Sequence, residues 1–241
     1  MGSKMSVAGS MPALATLERL PVLPLSGVVL VPGMVLPLNV IEPAERELID
    51  FIRERDSHLG VPLLRPQERE PGGKPAFEAV FGLARLMLHT RLGDGRRVIR
   101  LEGVGRVRMV REHPLRRGFR EVTATPLLES TGPDPNTLAV LRAQLERIAA
   151  RHEAYELALT TTLAISEPTA FLDAVTICLP CLELLGHDGQ ALIEGFTART
   201  TQLQQQSLAA ESAERRVTLL TERASAALAR LKGRAPPRLT N

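Results

Sequence analysis

At 241 residues the chain can form one large or two small domains, and with 44% apolar residues it can bury a core, which excludes a disordered protein. Aromatic residues make up only 3% and tryptophan is absent, so the core must be Leu, Val, Ile, Ala and Met, a composition that favours helices packed by aliphatic ridges. The net charge is only +3, and no uninterrupted apolar stretch approaches the ~20 residues that cross a bilayer, which excludes a membrane-spanning helix.

Residues 1–16 carry one charge, Lys4, and a weakly apolar piece interrupted by Pro12, a poor secretory core. They are expected to be a disordered leader, and the protein to be cytoplasmic. Residues 17–130 carry the punctuation of β-structure, short apolar runs broken by Pro and Gly. Leu20 to Pro43 predicts two short buried strands joined through Val31-Pro32-Gly33-Met34, with Leu36, Leu38 and Val40 alternating on one face of the second. A helix is expected from Pro43, with Glu42, Glu45 and Glu47 at its positive end and Leu48, Ile49 and Ile52 buried. Leu59 to Leu64 is a strand candidate, and the charged RPQEREPGGKP that follows is expected to be an irregular loop. Phe77 to His89 and Arg96 to Val110 then bracket Gly93-Asp94-Gly95, a hairpin signal. In the second arm Leu101, Val107 and Met109 share one parity, expected to be core. Arg100, Glu102, Arg106 and Arg108 share the other, expected to face water.

Past Leu128 the apolar period changes from two to three and four, which predicts a helical bundle over residues 131–206. Gly132-Pro133-Asp134-Pro135 reads as a linker ending in an Asp cap and a first-turn Pro. Leu138, Leu141, Leu145, Ile148, His152, Tyr155, Leu159 and Leu163 then predict one continuous amphipathic helix of about seven turns. A second helix is expected from Pro168 to Leu185 with Ser166 as its cap. A third is expected from Asp188, burying Leu192, Ile193, Phe196 and Leu203. Good helix formers continue it as an extension over residues 207–232, before a tail at 233–241. Leu208, Val217, Leu219, Leu220, Leu228 and Leu231 form an irregular stripe that either packs on the bundle or associates with another chain.

Three blocks of this sequence resemble the amino-terminal, substrate-binding domain of Lon proteases. LPVLPLSGVVLVPGMVLPLNVIEP at 20–43, Glu102-Gly103-Val104-Gly105-Arg106-Val107-Arg108, and EPTAFLDAVTICLPCL at 167–182 occur in the family's order and together span roughly residues 19 to 206. The resemblance implies an α+β fold: a PUA-like β pseudo-barrel with one helix, followed by an all-α bundle with a long C-terminal helix. It also implies a non-catalytic module for unfolded or tagged polypeptides, an adaptor or regulator acting with a protease or chaperone. A full Lon enzyme continues into ATPase and protease modules, whereas this sequence ends at Asn241, as expected of a stand-alone member. Apolar contact or strand addition at an open edge are the means expected, with Met34, Met87, Leu88 and Met109 as candidate contact residues.

Chemistry is limited by lysine. The chain has Lys4, Lys74 and Lys232 against 27 arginines, and Gly72-Gly73-Lys74-Pro75 is no phosphate loop. None of the three sits where burial could deprotonate it for a Ser-Lys dyad. The five histidines lie outside any HExxH or GxSxG context. Cys178 and Cys181 form a CxxC late in an apolar helical run, away from a helix N-terminus and without further ligands. They are expected to be structural, with neither metal nor cofactor. The alternative to a polypeptide partner is RNA. Arg85 to Arg120 holds 11 arginines against Asp94, Glu102 and Glu112, which makes Arg100, Arg106 and Arg108 candidate phosphate contacts. Phe119 is the one aromatic in that window, poor provision for base stacking.

Overall fold

In the computed structural model the described residues are 15–55, 57–69, 73–129, 132–151, 153–184 and 192–231. Most of the expected leader and tail lies outside them, as do His152, the Leu192, Ile193, Phe196 and Leu231 side chains and the Cys181 thiol. The architecture is α+β, a sheet domain followed by helices.

Strand β1 (Leu17–Val22) runs antiparallel to β8 (Arg120–Pro126) and parallel to β3 (Leu59–Val61). Strand β6 (Val80–Arg91) joins β3 to β7 (Arg97–Glu112), and the 16-residue β7 is long enough to serve two more partners. Its first half pairs with β2 (Val35–Val40) and its second half with β8, so β7, β6, β3, β1 and β8 close on themselves and leave β2 as an extra edge strand. Bending so long a strand takes bulges. The register skips Met87 in β6, and Val104 and Val110 in β7. The β6–β7 turn falls where the sequence places it, with Gly95 at φ +86 and Asp94 accepting from the Arg96 N–H.

The first apolar run forms its strand earlier than expected. Only residues 17–22 pair as a strand; Val28 to Val31 instead crosses the sheet out of the ladder, with Val29, Leu30 and Val31 buried. Two glycines receive it. A Cβ on Gly82 would lie 2.2 Å from the Leu30 carbonyl oxygen, and one on Gly103 would lie 2.3 Å from that of Val31. The Pro32-Gly33 turn then closes with Met34 N–H on Val31 O, and Gly33 at φ +80. Helix α1 (Pro43–Arg55) covers one end of the sheet and buries Leu48, Ile49 and Ile52 as expected. Arg65 to Arg69 of the charged RPQEREPGGKP are not irregular: β4 (Leu64–Arg69) and β5 (Pro75–Phe77) form a separate two-stranded arm, where Pro66 is tolerated because β4 has a single neighbour.

Helix α2 (Pro135–Ala149) starts on the predicted cap, with Asp134 accepting from the Thr137 N–H. The continuous seven-turn helix is absent. Ala150 caps α2 with its N–H on Glu146 and Ile148, and α3 (Glu153–Leu163) begins anew. Splitting lets Leu141, Leu145 and Ile148 share one core with Tyr155 and Leu159. Helix α4 (Pro168–Leu184) is capped by Glu167, not Ser166; its carboxylate accepts from the Thr169 and Ala170 N–H groups. The last long helix also breaks. α5 (Leu192–Ala209) ends at a corner, and Ser212 caps α6 (Ala213–Leu231) by accepting from the Arg215 N–H. The apolar stripe of α6, with Val217, Leu220, Ala224 and Leu228, packs inside the chain's own bundle, the first of the two readings.

Candidate functional site

Three strands present an outer face, ordered by their register. Val35, Glu102 and Arg85 form one rank across β2, β7 and β6; Pro37, Arg100 and Leu88 form the next; Asn39, Val98 and Thr90 the third. Val35 is 47% exposed, Leu88 44% and Met87 53%, so apolar side chains stand open on both sides of the charged Glu102 and Arg100 of β7. The Met87 bulge sets two residues, Met87 and Leu88, against the single partner Arg100, where regular pairing would set one. Arg85 and Glu102 pair with each other, while Arg100 makes no ion pair among the described residues.

The open edge of β2 is less available than its face. Gly103 N–H donates to Met34 O, and the register carries that parity to residues 36, 38 and 40, which turn their amides toward β7. Residues 35, 37 and 39 therefore turn theirs outward, and Pro37 removes the donor in the middle. Side-chain contact on the face is favoured over strand addition.

Of the four apolar candidates, the structure brings Met87 and Leu88 together. Met34 is half-buried between two cores, and Met109 is half-buried at the far end of β7 against the core of β1 and β8. The three arginine candidates separate as well. Arg100 stands on the open face, and Arg108 pairs with Glu211 at 3.1 Å. Arg106 is a correction: it does not face water but is 4% exposed, because the α5–α6 corner covers that part of β7. Strand alternation cannot reveal a second layer laid over the outer face.

Arg106 anchors a buried polar junction that sequence reasoning missed. It donates to the Leu208 and Ala210 carbonyls at 2.9 and 3.1 Å and to Glu129 at 2.9 Å. Glu129 Oε1 also accepts from Arg216 at 2.9 Å, and Arg216 reaches Asp173 on α4. Burial pushes Asp173 up to about 6 against the pull of Arg216. Burial, and then the neighbouring Arg216, pulls Arg106 below its usual range. The available signal was an acid, Asp173, inside the apolar stripe of Phe171, Leu172 and Val175. The four charges are spent on one another and shut from solvent, so this cluster is structural. On α4, Cys178 is half-buried against the helical core with its thiol on the Val175 carbonyl at 3.7 Å. No group of three or more His, Cys, Asp or Glu among the described residues could hold a metal ion. No helix among them is long and apolar enough to cross a membrane.

Residues 19–184 match the ATP-dependent protease La (LON) substrate-binding domain. The N-terminal domain of the Mycobacterium avium complex Lon protease has the same fold, with a TM-score of 0.60 at 18% identity over 86% of this chain and 98% of that one. A Lon N-terminal domain protein from Xanthomonas campestris is 24% identical, covering 67% of this chain and 98% of its own, with a TM-score of 0.43. None of the curated proteins matches the chain.

Proposed function

Because this chain belongs to the family of the ATP-dependent protease La (LON) substrate-binding domain, we propose that it is a non-catalytic module that holds polypeptide segments on the outer face of β2, β7 and β6. The observation that carries this is the exposure of Val35, Met87 and Leu88 on neighbouring ranks of that face, unfilled by the chain's own core. Extended segments rich in aliphatic side chains would lie along it by apolar contact, which suits weak and broad selection. In the cytoplasm such a surface serves an adaptor or regulator that delivers unfolded or tagged clients to a protease or chaperone, or withholds them. The RNA reading is not favoured, since of its three arginines only Arg100 stands both exposed and without an ion pair among the described residues.

The test is retention of a chemically unfolded, uncharged reporter protein by the immobilised chain, with Met87→Glu and Leu88→Glu as variants. Both positions are exposed, so folding is preserved and circular dichroism checks it. Native protein should retain the reporter with little salt dependence, and the double variant should lose about thirtyfold in affinity, as expected for two apolar contacts of order 1 kcal/mol each. Equal retention by native and variant protein sinks the proposal.

A further inference from the structure

We propose that Arg55 and Arg117 form a second binding site, two guanidinium groups gathered on the Phe51 ring that take the carboxylates of an acidic polypeptide segment. The choice of a polypeptide rests on the reading above; the site itself rests on how α1 meets the loop between β7 and β8. Gly118 brings that loop onto the helix. Its N–H donates to Glu47 Oε2 at 3.2 Å, and a Cβ there would lie 2.5 Å from the same oxygen. Phe119 is then buried with its ring centroid 5.3 Å from that of Phe51. Arg117 lands with Cζ 4.5 Å from the Phe51 centroid, and Arg55, one helical turn past Phe51, reaches the same ring at 4.0 Å.

One ring thus holds two cations, an arrangement that brings like charges near each other and calls for an anion. Both arginines are exposed, and among the described residues neither makes an ion pair. Glu47, which meets this loop, accepts from the Gly118 N–H. Contact with the ring restrains each guanidinium while its exposed side stays open to solvent, so part of the ordering needed to grip a carboxylate is already in place. Exposed Arg53 and Arg116 extend the positive surface beside exposed Glu54, with Asp56 next in sequence to Arg55.

Carboxylate and phosphate share this chemistry, and two observations favour the polypeptide. The Phe51 ring that could stack a base is already taken by guanidinium groups. Leu115, 53% exposed in the same loop, offers an apolar contact that suits a side chain between acids and does nothing for a sugar-phosphate backbone.

The experiment measures fluorescence anisotropy of three labelled probes with the full chain: a short peptide of alternating Glu and Leu, the same peptide with Gln for Glu, and a uridine oligoribonucleotide. The Glu peptide should bind about tenfold or more tighter than the Gln peptide, an advantage that salt erodes. Arg55→Ala with Arg117→Ala should abolish that advantage, lysine at both positions should restore only part of it, and Phe51→Leu should weaken it with both arginines present. Equal binding of Glu and Gln peptides, or a double alanine variant that still prefers Glu, overturns the proposal. So does oligoribonucleotide binding that the double variant loses, which would make the pair a general polyanion site. Retention of the uncharged reporter should survive the arginine variants, and the Glu-peptide preference should survive Leu88→Glu, so the two sites fail independently.

Discussion

Asp173 lies on the buried face of α4 and answers the Arg216 guanidinium where water barely reaches, so burial pushes its carboxyl up to about 6. A raised folded-state value means that the folded chain binds a proton more readily than the unfolded chain. The resulting stabilisation is full below the unfolded value near 3.8 and is lost as pH rises through about 6. Lowering the pH from 7 to 5 should therefore add about 1 kcal/mol through this one residue. Asp50, Asp94 and Asp134 act the other way, held low by hydrogen bonds from Arg97, the Arg96 N–H and the Thr137 N–H. The informative quantity is thus the difference between native protein and Asp173→Asn in urea unfolding at the two pH values. That difference should shift by about 1 kcal/mol toward the native protein at pH 5. Parallel pH dependences for the two proteins would show that Arg216 offsets the burial of this carboxylate completely.

At the scale of elements, the crossing segment Val28 to Val31 and strands β6 and β7 fix one another through two missing side chains. Gly103→Ala would set a methyl group 2.3 Å from the Val31 carbonyl oxygen, a backbone atom that cannot swing aside. Such overpacking costs about 1–3 kcal/mol, and here the upper end is expected because both elements are held by ladders or buried cores. Gly93→Ala, with nothing within 4 Å of its new Cβ, is the control, expected near neutrality in the same denaturation measurement. A Gly103→Ala protein as stable as that control would mean that the crossing segment yields. This contact was illegible in sequence, which shows a Pro-Gly turn but not which glycines a carbonyl comes to rest on. What could be read was local. Leu48, Ile49 and Ile52 follow helical spacing into the core, Asp134 caps α2, and Gly95 closes the β6–β7 turn. The helix breaks at Ala150 and near Ala210 escaped because neither site carries Gly or Pro; packing of α2 with α3 and of α6 into the bundle imposes them. Likewise, Met87 and Leu88 could be picked out by residue type, whereas the placing of Leu88 in one rank with Arg100 and Pro37 requires the register. The Arg55–Phe51–Arg117 cluster joins segments 62 residues apart, and no spacing rule reaches that far.

Over the whole molecule, sheet and helices are joined by a seam that is apolar on one side and ionic on the other. Val29, Val31 and Val80 pack with Leu208, while Gln205 donates to the Val80 carbonyl and Thr201 to that of Gly27. Arg106 closes the ionic side, since it reaches the end of α5 and shares Glu129 with Arg216. The sheet domain and the bundle each have a core of their own, so their cooperation depends on this seam. Replacing Arg106 with Leu would leave the Leu208 and Ala210 carbonyls without that donor and Glu129 with one buried cation instead of two. Removing one partner of a buried ion cluster costs about 3–5 kcal/mol, more than the few hydrogen bonds that remain across the seam can return. The native chain should therefore unfold in one transition by both far-ultraviolet circular dichroism and hydrogen exchange. Arg106→Leu should separate the sheet and the helices into two transitions, with the bundle residues around Glu129 and Asp173 losing exchange protection first. If that variant still unfolds in one transition and is destabilised by less than about 1 kcal/mol, the apolar cluster of Val29, Val31, Val80 and Leu208 holds the two halves together by itself, and the charges serve register instead of cohesion.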